Sequence, residues 1–258
     1  MKNSLKAALL LSGMVSLPAL AHVSYNGRDL GTFTGLSAAS NSITNQTTVN
    51  FGWADAADAD WGDTHKGKWY KFTLLNAASV TLTASANATA TSTSIGGLLP
   101  GFSLYQGLAP AAAHDTSTAS LAYRAGLGFP TEGSLNARGS FQIGNDAGVI
   151  GPLTFVGYAV DGTIANYSLG YQSGIVGDGN ADGSVSKTFA LGAGAYSLWI
   201  GGADYAGQFS PLPLSTYGVT ASIGVAPVPE PETYAMLLTG LGLMGAFARR
   251  RHTSVSGA

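Results

Sequence analysis

Hydrophobic and polar residues alternate in short runs along the middle of the chain. KWYKFTLL sets Tyr70, Phe72 and Leu74 on one side, SVTLTA does the same with Val80 and Leu82, and GFSLY with Phe102 and Leu104. Further on, LTFVGYAVDG from Phe155 to Val160 and GSVSKTFAL from Val185 to Leu191 repeat the pattern. AYSLWIGG adds Tyr196, Leu198 and Ile200, and YGVTASI adds Val219, Ala221 and Ile223. A period of two marks a strand with one buried face. Apolar residues rarely recur at helical spacing between residue 22 and about residue 226, and glycines interrupt the windows, so no long helix is expected there. With Gly, Asn, Asp and Pro turns between the segments, the pattern predicts an all-β, jelly-roll-like β-sandwich over residues 22–226.

Both ends break this pattern. MKNSLKAALLLSGMVSLPALA carries two lysines, the apolar run Ala7 to Leu17, then Pro18 and the small-residue sequence Ala19-Leu20-Ala21. It reads as a secretory signal peptide, residues 1–21, cut by signal peptidase before His22. At the other end Thr233 to Ala248 is a charge-free run of 16 residues. As a helix it spans about 24 Å, against a hydrocarbon core of about 30 Å. Arg249, Arg250 and Arg251 follow it, placed to snorkel and to hold the carboxyl end, with the tail 253–258, in the cytoplasm. A transmembrane helix over residues 233–248 in the inner membrane is therefore expected. GLGLMG inside it matches the glycine pattern of dinucleotide sites, but neither a preceding strand nor a following acid accompanies it, so it has no such role.

The tail as a whole, VPEPETYAMLLTGLGLMGAFARRR, resembles a PEP-CTERM sorting signal. Val228-Pro229-Glu230-Pro231-Glu232 matches the signature, and the short glycine-containing span and the arginine cluster follow in order, covering residues 227–252. The resemblance implies recognition by a membrane-embedded exosortase, cleavage near Pro-Glu-Pro, and release or attachment outside a Gram-negative cell that makes exopolysaccharide. The same tail has been described on proteins called ice-binding. More weakly, HKGKWYKFTLLNAASVTLTASA, PGFSLYQG, LGAGAYSLWIGGADYAG and YGVTASI resemble, in this order, the bacterial pre-peptidase C-terminal type of jelly roll, with an insert from Ala109 to Asn180. Some members of that type bind calcium through acids beside the first strand; here Lys66 and Lys68 stand where such an acid is expected.

Composition sharpens the picture. Only 10% of the residues are charged, 36 are glycine and none is cysteine, which favours short strands and turns and excludes disulfides and thiolate metal sites. Between residues 22 and 229 the chain has seven Lys/Arg against twelve Asp/Glu, a net of −5. An acidic middle repels phosphate backbones, so nucleic acid is not an expected partner.

Candidate chemistry is sparse. DGNADGS sets Asp178, Asn180 and Asp182 at alternate positions before Gly183, the first half of a calcium loop, but position twelve falls on Phe189. A hairpin turn accounts for the same residues without an ion. DAADADWGDTH gathers Asp58 and Asp60 near Trp53 and Trp61, a combination suited to stacking on and hydrogen bonding to a sugar; loop acids beside core tryptophans are the alternative. The histidines at 22, 65, 114 and 252 lie far apart, and no G-x-S-x-G elbow or H-E-x-x-H motif occurs, so no catalytic residue is named. SVTLTASANATATSTS carries threonine at every second place in two tracts, Thr81 and Thr83, then Thr89, Thr91 and Thr93, which read as strand and linker. The expectation is an exported, noncatalytic cell-surface or matrix protein in contact with exopolysaccharide. The alternatives are a secreted hydrolase with an unrecognised site and an ice-binding protein, which needs a face of regularly spaced threonines.

Overall fold

The computed structural model describes residues 23–54, 61–64, 66–109, 114–115, 134–139, 141–145, 148–167, 175–204, 215–228 and 236–245. The signal peptide, the cytoplasmic tail and the ends of the expected membrane span lie outside the described residues.

Thirteen strands are described: β1 (Asp29–Phe33), β2 (Ala39–Thr48), β3 (Trp61–Asp63), β4 (Lys68–Leu74), β5 (Ala78–Ala86), β6 (Pro100–Gln106) and β7 (His114–Asp115), then β8 (Ser134–Asn136), β9 (Phe141–Asn145), β10 (Gly148–Val160), β11 (Ser184–Leu191), β12 (Gly194–Gly202) and β13 (Tyr217–Pro227). One sheet has seven strands in the order β1-β4-β12-β6-β10-β9-β7, and a second has four in the order β11-β5-β13-β2; β3 and β8 form a separate pair. All seven segments read from the sequence are strands of the two main sheets, and the all-β sandwich stands. The region expected as an insert, Ala109 to Asn180, is not outside the sandwich, because β10 pairs with β6 from Thr154↔Gln106 to Val160↔Gly101.

Between the sheets lies an aliphatic and aromatic core. Tyr70, Phe72 and Leu74 of β4, Phe102 and Leu104 of β6, and Leu198 and Ile200 of β12 meet Val80 and Leu82 of β5 and Val219, Ala221 and Ile223 of β13. The period-two residues of both sheets thus point inward at one another. The other face of the larger sheet is also covered. Trp69, Tyr105, Leu153 and Trp199 pack there against Phe51, Trp53, Leu135, Ala137 and Ile175, forming a second core. That double burial explains why β6 is buried from Pro100 to Tyr105 without alternation. The buried serines of β6 and β12 are accommodated by hydrogen bonds: Ser103 Oγ donates to Ala137 O, and Ser197 Oγ donates to Gly107 O at 2.7 Å while accepting the Ala109 N–H at 3.1 Å.

Residues 236–245 form a helix, α1. Its Met236, Leu237, Leu238, Leu241, Leu243 and Met244 are all exposed. Among the described residues no helix is long and apolar enough to cross a membrane, so the span expected over 233–248 is described only in this central part.

Candidate functional site

The four-stranded sheet buries one face, and among the described residues nothing packs over the other. Its outward positions follow from register. Ser184 lies beside Ser85, Ser186 beside Thr83 and Thr188 beside Thr81 across β11 and β5. On the other side of β5, β13 sets Thr220, Ser222 and Gly224 opposite the same three residues. β2 extends two of these rows with Ser42 and Ser40. The result is a grid of hydroxyls about 4.8 Å apart across strands and about 6.8 Å along them. Three cross-strand hydrogen bonds hold it: Thr81–Thr188 at 2.8 Å, Thr83–Ser186 at 2.9 Å and Ser85–Ser184 at 2.9 Å. A shallow open trough on this face is lined by Ser40, Ser42, Thr81, Thr83, Ser222 and Gly224, among others.

The segments that build the grid contain one charged residue, Lys187. Its ammonium turns away to the other sheet, donating to Tyr158 O at 2.9 Å. Among the described residues the face is therefore free of charge. Each hydroxyl can donate one hydrogen bond and accept two, so the rungs leave capacity for a ligand or for water. Of the threonines singled out by sequence, Thr81 and Thr83 are in this grid, whereas Thr89, Thr91 and Thr93 belong to the turns after β5, where Thr89 bonds Asn87 and Thr91 bonds Thr93. The serines of β2, β11 and β13 were missed, because only the strand order β11-β5-β13-β2 makes them neighbours.

Trp53 is wholly buried, not presented to a sugar. Its indole N–H donates to Ser103 Oγ at 2.9 Å, and its ring lies 5.3 Å from that of Tyr158. Glycines make room for it: a Cβ at Gly101 would sit 2.6 Å from the indole Cδ2, and one at Gly201 2.9 Å from the Trp53 nitrogen. Trp61 enters β3, opposite Asn136. Asp58 and Asp60 lie outside the described residues.

The candidate calcium residues serve turns. Asp178 Oδ1 accepts the N–H groups of Gly162 and Asn180, each at 3.1 Å, and Asp182 Oδ1 accepts that of Ser184 at 3.0 Å. The expected position-twelve residue, Phe189, is in the core. Beside them stands a carboxylate the sequence reading passed over, Asp161, fully buried, whose oxygens accept the N–H groups of Asp182 at 3.2 Å and Gly183 at 2.9 Å. Burial raises its pKa to about 6; the two backbone N–H groups pull against that shift, and Asp178 and Asp182 add to it. Among the described residues no three acids or histidines gather where they could hold a metal ion, so the structure gives the calcium expectation no centre.

β13 leads directly into the sorting signature, whose Val228 is described and whose Pro229, Glu230, Pro231 and Glu232, like Arg249, Arg250 and Arg251, lie outside the described residues. Residues 227–251 match the model of the PEP-CTERM protein-sorting motif. The chain carries a PEP-CTERM sorting motif. It thereby has the mark of an exosortase substrate destined for the cell surface or the extracellular space. The match covers the tail and does not extend to the middle of the chain, whose resemblance to the pre-peptidase C-terminal type it leaves without support.

No curated protein matches the sequence. Among the solved structures that match this chain are two whose likeness is distant. One is CorA, a surface-associated copper-binding protein of Methylomicrobium album BG8, with 16% identity, 78% of this chain and 97% of that chain covered, and a TM-score of 0.49. The other is the secreted protein MopE of Methylococcus capsulatus, in which an oxidized tryptophan facilitates copper-binding, with 17% identity, 76% and 87% covered, and a TM-score of 0.40. Likenesses this distant transfer no copper chemistry to this chain.

Proposed function

We propose that the exported domain is a noncatalytic matrix protein that adheres to uncharged exopolysaccharide through the hydroxyl face of the four-stranded sheet. The observation that carries this reading is the absence of charge from a solvent-facing surface built of cross-bonded serines and threonines. Covering a hydroxyl costs far less than covering an ion, and a polyhydroxylated chain returns the lost hydrogen bonds in kind. Signal peptidase, the inner membrane and exosortase are its partners on the way out, with the apolar tail held in the bilayer by the three arginines until processing.

The test is retention of the mature domain on purified exopolysaccharide, compared with the double variant Thr83→Glu, Ser222→Glu. Two carboxylates side by side on neighbouring strands should remove most of the retention without unfolding the domain. Equal retention of both proteins overturns the proposal. The same rows hold four threonines among six serines and a glycine, short of the regular threonines that ice binding needs, and inhibition of ice recrystallisation, lost in the same variant, would select that alternative instead. Release of soluble sugars or peptides by the unmodified domain would point to the hydrolase alternative.

A further inference from the structure

We infer that the end of the sandwich from which the sorting tail leaves rests on the lipid bilayer while the tail is inserted, an inference that depends on the reading of the tail as membrane-embedded. The strands define this end. β13 finishes at Pro227, opposite Ala78 where β5 begins, and its Val225 lies opposite Ala39 where β2 begins. The loops before those two strands therefore flank the exit of the tail. They touch each other as well: Leu75 N–H donates to Phe33 O at 2.9 Å, and Asn76 Nδ2 donates to Thr34 O at 2.9 Å.

This rim has the composition of an interfacial surface. Leu36 is 69% exposed, Leu75 56% and Val228 47%, one from each of the three segments that meet there. The segments 34–38, 75–77, 192–193 and 226–228 contain no charged residue. At the opposite end Lys66 and Lys68 introduce β4, Asp161 follows β10, Asp182 precedes β11 and Asp204 follows β12. The segments around the tail exit are thus uncharged where the opposite end is not; the described acid on the tail side, Asp115 of β7, stands at the far edge of the larger sheet, beyond Gln106 where β6 ends. The tether then makes bilayer the occupant. Seven residues separate Val228 from Met236, the first residue of the exposed apolar helix α1. Fully extended, that connection reaches about 29 Å, so the rim cannot move far from a membrane that holds α1. A tether this short gives a high effective concentration, under which a few leucines entering the headgroup region suffice, where charges would resist.

The chain has no cysteine, so single labels can be placed at will. The full chain, reconstituted in phosphatidylethanolamine and phosphatidylglycerol vesicles without polysaccharide, would carry an environment-sensitive fluorophore at Leu75→Cys or, at the opposite end, at Ala88→Cys. Bilayer contact should blue-shift the label at 75 and lipid-borne quenchers should quench it, while the label at 88 stays in water unquenched, and adding Leu36→Asp should release the label at 75 while the chain still floats with the vesicles. Equal quenching of both labels on floating protein overturns the inference. Protein that does not float shows that the tail reading itself has failed and takes the inference with it. Protection of position 75 only in membranes containing exosortase also overturns it, in favour of a protein contact.

Discussion

Replacing Trp53 by alanine separates a structural tryptophan from a ligand-stacking one. Its ring is fully buried and lies against Tyr158, so truncation removes the whole transfer term and leaves a cavity. The walls cannot close on that cavity cheaply. They include the backbone of Gly101 and Gly201, tied into β6 and β12, and the Trp53 main chain itself is pinned by its N–H to Gly202 O at 2.9 Å. Large aromatic truncations in such rigid sites cost about 3 to 5 kcal/mol. Loss of the hydrogen bond to Ser103 Oγ adds about 1 kcal/mol, because Ser103 keeps Ala137 O as its acceptor and is not left wholly orphaned. For a domain of this size the sum lowers the unfolding midpoint by on the order of 10 °C. Trp53→Phe, which keeps ring bulk and loses the N–H, should cost about 1 to 2 kcal/mol. Urea titration of the purified mature domain, compared with Trp53→Ala and Trp53→Phe, gives both numbers. A Trp53→Ala unfolding free energy within about 0.5 kcal/mol of the parent's would refute the socket argument. Unchanged stability combined with lost retention on polysaccharide would restore Trp53 as a sugar contact.

Asp161 makes stability depend on pH. Its pKa, raised to about 6 in the folded state against an ordinary value near 3.8, means that the folded protein binds this proton more tightly. The contribution is therefore complete below about pH 4 and lost as pH rises through 6; by linkage it amounts to on the order of 2 kcal/mol between pH 4.5 and pH 7.5. Urea unfolding at the two values should show that increment in the parent and not in Asp161→Asn; the same increment in both would assign it to other groups. Asp178→Ala should cost about 1 to 2 kcal/mol through the lost acceptor for Gly162 and Asn180, equally in calcium and in chelator, and a calcium-dependent cost would place an ion in the loop. Amino-terminal sequencing of extracellular protein should begin at His22; Met1 on that material would remove the signal-peptide reading.

The strands that were legible in the sequence are those whose inward residues are large. Tyr70, Phe72 and Leu74 announce β4 because their neighbours Lys71 and Thr73 contrast with them. β2 gave no such signal: in ASNSITNQTT one large apolar residue, Ile43, is present, and the segment is a strand because β13 supplies a ladder for it. The second core was hidden for a different reason. Alternation assigns one face to burial and the other to water, so Ser103 and Ser197 read as solvent positions, although insert and loop residues cover them and satisfy their hydroxyls. The hydroxyl grid was half visible. Thr81 and Thr83 stand out at alternate places on one strand, but a two-dimensional array needs the strand order, and the strands that complete it lie about a hundred residues or more downstream in β11 and β13 and some forty upstream in β2.

Sequence separation also explains why the two sheets differ. The larger sheet borrows its outer cover from segments that lie on either side of its strands in sequence: Phe51 and Trp53 before β4, Leu135 and Ala137 between β6 and β10, Ile175 after β10. Those segments bury Trp69, Tyr105 and Trp199, which only a covered face can carry. No corresponding cover packs on β11, β5, β13 and β2 among the described residues, and their outward residues are small and hydroxylic where the larger sheet has tryptophans. A bare face with indoles would be an aggregation site, and a bare face with lysines and glutamates would be ordinary. Serine and threonine without charge avoid the first without adopting the second. Such a surface loses little when an uncharged polymer lies on it, the balance that the proposed adhesion to exopolysaccharide requires.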